Sequence, residues 1–115
     1  MADQETTVQE LKQIVQQFVT ERDWKQFHSP KNLGMSMSIE VAELMEHYQW
    51  LTTEQSLQAH HDSETCTAVS EELADVLCYV LAFANETGID LSQALRDKMV
   101  KNRKKYPAEE YQGRY

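Results

Sequence analysis

The sequence is poor in helix breakers, with three glycines and two prolines in 115 residues. They stand between segments of helical period, so there is no low-complexity tract and no internal repeat. No segment alternates apolar and polar residues as a half-buried strand does. No apolar run approaches the roughly 20 residues of a membrane span. The first residues, MADQETTVQE, carry neither the basic nor the apolar region of a secretory leader. These absences point to a soluble, cytoplasmic chain with no membrane partner. Cysteine is scarce as well. Cys66 and Cys78 lack metal-site spacing and are expected to be buried, reduced thiols. Basic residues are outnumbered, and a formal charge of −8 argues against a nucleic-acid polymer as partner. A small anionic ligand is still compatible, because divalent cations can reverse the local field. Neither G-x-x-x-x-G-K-[ST] nor G-x-G-x-x-G occurs, so no glycine-rich loop cradles phosphate.

What is present reads as one all-α domain over 1–115, with an ordered core of about 6–107 and four helices. The first runs from about Thr7, where Thr7-x-x-Glu10 forms a capping-box pattern, to about Arg22. Its apolar stripe is Val8, Leu11, Ile14, Val15, Phe18 and Val19. A short aromatic connector, DWKQFH, follows. Ser29 and Pro30 then mark the start of a second helix, expected to reach about Leu51. The polar segment TTEQSLQAHHDSET reads as a loop. A third helix is expected from about Cys66 to Thr87, stopped by Gly88. Asp90-x-x-Gln93 caps a fourth, which must end near Tyr106 because Pro107 follows.

Two acidic pairs carry the chemistry: Glu40-x-x-Glu43 on the second helix and Glu72-x-x-Asp75 on the third. Residues three apart share a helix face, so each pair sets two carboxylates side by side. From Leu73 to Ala84 the only charged residue is Asp75, so the third helix is expected to be largely buried. A carboxylate there is costly unless it is paired or binds a metal. If the two helices pack antiparallel, the pairs meet, and four oxygen donors suit a hard cation such as Mg²⁺. Glu40, Glu43, His47 and Trp50 fall on one side of the second helix, and Glu72, Asp75 and Tyr79 form one stripe of the third. The inner face of the fourth helix begins with Leu91 and Leu95 and turns basic at Lys98, Asn102 and Lys105. That change suits either a solvated helix end or a cavity holding phosphates. Trp24, Phe27, His28, Trp50 and Tyr79 offer rings on which a planar base could stack. Each is equally explained by ordinary core packing.

The segments RDWKQFHSPKNL, EVAELMEHYQW, EELADVLCYVLAFA and KMVKNRKKYP together resemble the MazG-like, all-α nucleoside triphosphate pyrophosphohydrolases, and most of all their dCTP pyrophosphatase branch. The resemblance extends from about Thr7 to Pro107. Ala42 stands where relatives often carry glycine, a small change inside a helix. The resemblance implies a four-helix bundle that assembles as a homodimer or homotetramer, with sites at subunit interfaces. It implies hydrolysis of a nucleoside triphosphate, dCTP or a modified dCTP, to the monophosphate and pyrophosphate. Mg²⁺ would be the cofactor, with Mn²⁺ as a substitute. Glu40, Glu43, Glu72 and Asp75 would be metal ligands, with Glu43 or Glu72 handling the attacking water. Trp24, His28, Trp50 and Tyr79 would contact the nucleoside, and Lys98, Asn102 and Arg103 the phosphates. Two other classes fit the bare residues less well. One is a helical scaffold whose acids pair with Lys98 and Lys105. The other is a ferritin-like di-iron bundle, which needs Glu-x-x-His where this chain has Glu-x-x-Glu and Glu-x-x-Asp.

Overall fold

The structure, a computed structural model, describes residues 1–114. Its helices are α1 (Ala2–Glu5), α2 (Val8–Glu21), α3 (Pro30–Glu46), α4 (Thr53–Gln58), α5 (Ser63–Thr87), α6 (Leu91–Lys105) and α7 (Ala108–Tyr111). Two 3₁₀ turns, Lys25–Phe27 and Ala59–His61, complete it, and no strand occurs among the described residues. The four long helices, α2, α3, α5 and α6, correspond to the four read from the sequence.

The caps explain most boundaries. Thr7 and Glu10 exchange side-chain-to-backbone hydrogen bonds of 3.1 and 3.2 Å, closing the capping box of α2. The Ser29 hydroxyl accepts from the Asn32 N–H at 3.1 Å, with Pro30 in the first turn of α3. Gly88 ends α5 in the left-handed region at φ 71°, where a side chain would be strained. The Asp90 carboxylate accepts from the Gln93 N–H at 2.9 Å, and α6 stops before Pro107.

Three expectations about secondary structure fail. The second helix stops at Glu46 rather than Leu51, because the His47 and Tyr48 N–H groups bond back three residues and tighten the chain into turns. The polar segment is not a loop: Thr52 and Gln55 form a second capping box and start α4. Asp62 then accepts from the Thr65 N–H at 3.0 Å, so α5 begins at Ser63, one turn earlier than expected. Cys66 consequently falls in an exposed N-terminal part of α5, and only Cys78 is half-buried.

The body consists of α2 and α3 packed on α5. Val15 and Val19 of α2, Leu33 of α3, and Leu81 and Ala82 of α5 form its buried centre. Asn85 donates to the Lys12 carbonyl at 3.0 Å and ties α5 to α2. This core is small. On α5, Leu73 and Leu77 remain 57% and 45% exposed, so the helix is buried along one face only. The sequence expectation of a largely buried helix fails because no element among the described residues covers the other face. Helix α6 departs further. Leu91 packs on the core, but Leu95 is 63% exposed and only Leu91 and Asn102 are even half-buried along the helix. Beyond Leu91, the expected inner face of α6 has no partner among the described residues.

Candidate functional site

The pairing of α3 with α5 sets the site. Leu33 meets Leu81 and Ala82, Glu40 lies beside Asp75, and His47 shares a hollow with Asp62 and Thr65. Low numbers on one helix meet high numbers on the other, so the two run antiparallel and their acidic pairs converge. Glu40, Glu43 and Glu72 each place one carboxylate oxygen within 4.8 Å of the others. Asp75 stands just outside this trio. It is exposed, because its flank of α5 opens on the groove, and its charge acts on both Glu40 and Glu72.

The electrostatics follow from crowding. Glu40 is pushed up to about 7, first by burial, then by the Glu43 carboxyl at hydrogen-bonding range, then by the charges of Glu43, Asp75 and Glu72. Glu72 is raised for the same leading reasons, with His47 acting in the opposite direction. One oxygen of Glu40 and one of Glu72 are shielded from solvent and have no hydrogen-bond partner. Orphaned carboxylate oxygens facing one another need a proton or a cation. The donor set is all oxygen, which fits Mg²⁺ or Mn²⁺ rather than a thiophilic metal.

Beside the trio lies a cavity of about 430 Å³. Trp24, His28 and Tyr79 line it, with Glu40 and Asp75 at its acidic edge. Trp24 owes its position to the end of α2, where Asp23 takes φ 52° and the Trp24 N–H bonds to the Val19 carbonyl at 3.0 Å. Aspartate tolerates this left-handed step better than most residues. The Trp24 ring then meets Phe18 edge-on, with centroids 5.6 Å apart.

Sequence reasoning missed part of this wall. Ile14 and Phe18 belong to the apolar stripe of α2, yet both front the cavity and are 62% and 45% exposed. Cys78 lines it too, its thiol pushed up by burial and then by Asp75 and Glu40. Its place three residues after Asp75 was the available signal.

Four named residues do not join the site in this chain. Trp50 lies beyond the end of α3, is 87% exposed and does not line the cavity. Lys98 and Arg103 are exposed on α6, and the Asn102 amide contacts only the Met99 sulfur, at 3.6 Å. The reason is the outward course of α6 and the early end of α3.

Comparison with known proteins identifies relatives of this chain. Residues 35–114 match the MazG-like family. Over 104 residues, 90% of this chain, the sequence is 43% identical to mouse dCTP pyrophosphatase 1 and 39% identical to the human protein of that name. The chain spans 61% of the length of each. A pyrophosphatase from Archaeoglobus fulgidus, solved as a crystal structure, superposes with a TM-score of 0.80 at 40% identity, over 86% of this chain and 91% of that one. The fold, the paired carboxylates and these matches agree: the chain belongs to the MazG-like family.

Proposed function

We propose that this protein is a nucleoside triphosphate pyrophosphohydrolase, acting on dCTP or a modified dCTP and releasing the monophosphate and pyrophosphate. The observation that carries the reading is the carboxylate trio, with its orphaned oxygens, set at the mouth of an aromatic cavity. The cavity suits a planar base, and the trio suits the cation that accompanies phosphate. The names of the mouse and human relatives add weight to dCTP as substrate.

Glu40, Glu43, Glu72 and Asp75 would hold Mg²⁺, or Mn²⁺ in its place. A cation bound there neutralises phosphate charge and polarises the reacting phosphorus. The chain's own contributions are positional. Trp24 and Tyr79 flank the base, His28 offers a hydrogen bond at the cavity wall, and the apolar residues of α2 exclude water. Glu43 or Glu72 orients the attacking water toward the α-phosphorus. Trp50, Lys98, Asn102 and Arg103 reach the nucleotide of a second copy in a dimer or tetramer. The bare faces of α5 and α6 support that assembly, because apolar surface of this extent marks an interface. Nucleotide-pool housecleaning in the cytoplasm is the corresponding role.

The test is a panel of dNTPs and NTPs with Mg²⁺ and identification of products. Monophosphate with pyrophosphate is the expected pair. Diphosphate with phosphate would refute the assignment.

A further inference from the structure

Along the groove between α3 and α5, the aromatic cavity, the carboxylates and His47 follow one another in order. Glu40 borders the cavity, Glu43 comes one turn on, and His47 one turn beyond that, so the series spans about 10 Å at the helical rise. His47 is half-buried, and its imidazole makes no hydrogen bond and no ion pair among the described residues. It fronts a second hollow of about 440 Å³, walled by Gln55, Gln58, Asp62 and Thr65. Most polar groups there are already engaged. Gln58 pairs with His61, Asp62 accepts two hydrogen bonds from Thr65, and the Gln55 carbonyl oxygen accepts from the Thr52 N–H. The donors left are the His47 ring and the amide nitrogens of Gln55 and Gln58. A nucleotide with its base in the aromatic cavity and its α-phosphate at the carboxylates must extend its remaining phosphates away from that cavity. His47 stands in that direction.

We infer that His47 is a substrate-contacting residue that donates a hydrogen bond to the β- and γ-phosphates, and so to the pyrophosphate product, from the same chain that supplies the carboxylates. The inference rests on the pyrophosphohydrolase reading and adds a subsite to it. Lys98, Asn102 and Arg103 are assigned to phosphate in another copy, whereas this contact needs no second subunit.

Product inhibition separates the two ends of the groove. In His47→Ala, inhibition by pyrophosphate with Mg²⁺ should weaken about tenfold, the factor expected of a hydrogen bond to a charged group. Inhibition by dCMP should stay unchanged. His47→Gln keeps a donor and should stay within about threefold of the parent for both products. Calorimetric titration of the whole protein with Mg²⁺-pyrophosphate should rank the three proteins in the same order. Unchanged pyrophosphate inhibition in both variants, or equal weakening of both products, would overturn the role of His47. A parent protein with no triphosphate turnover would instead overturn the reading beneath it.

Discussion

Glu40 makes the acidic cluster visible in the stability of the metal-free protein. Its carboxyl is pushed from an ordinary value of 4.5 to about 7, chiefly by burial and by Glu43. The folded state therefore binds more protons than the unfolded chain between these two pH values. Stability is highest below about 4.5 and is lost as pH rises through 7. One pKa unit corresponds to about 1.4 kcal/mol, which sets a ceiling of about 3.5 kcal/mol for Glu40. The groove is open to water, and screening reduces the net effect to about 1 kcal/mol. For a domain of this size that is roughly 4 °C in Tm. Glu72 adds in the same direction. Asp62 acts in the opposite sense, because the Thr65 N–H lowers its pKa, but its contribution is lost only as pH falls below the ordinary value of 3.8. Thermal melts followed by circular dichroism in EDTA, from pH 5 to pH 8 at constant ionic strength, should show Tm falling. Glu40→Gln should flatten the curve, and the difference between parent and variant isolates the contribution of Glu40. A cation held by the carboxylates would favour their ionised form, so adding Mg²⁺ should raise Tm more at pH 8 than at pH 5. A Tm that rises with pH in EDTA, or an unaltered slope in Glu40→Gln, would refute the argument.

Two further outcomes follow from the site. Glu43→Gln and Asp75→Asn should each lower kcat by at least about a hundredfold, with Tm equal to or above that of the parent, because each removes a like charge from a crowded site. Full turnover in either variant would remove that acid from the machinery. Trp50→Ala should leave Tm within about 1 °C, since the ring is 87% exposed in a single chain, yet raise KM more than it lowers kcat. An unchanged KM would show that Trp50 does not touch the nucleotide.

Much of the fold was readable from local signals. Thr7, Ser29, Gly88 and Asp90 act where their chemistry says they should, because caps and left-handed glycines depend on a few neighbouring residues. The end of α3 was harder to place. No glycine or proline marks Glu46, and the turn after it forms through backbone bonds that any residue can make. The start of α4 was legible in Thr52-x-x-Gln55, but the surrounding polar composition obscured it.

By itself the sequence determined which residues share a helix face, because the 3.6-residue period is a local property. Glu40 with Glu43, and Glu72 with Asp75 and Tyr79, follow from spacing alone. Tertiary structure decided which faces meet. It set Glu40, Glu43 and Glu72 within 4.8 Å, left Asp75 at the edge, and placed Ile14 and Phe18 of the α2 stripe on the cavity wall. It also sent α6 away from the groove, so that Lys98, Asn102 and Arg103 stand apart from the acids of their own chain. Such placements depend on long-range packing between helices, and periodicity within one helix carries no information about its partner.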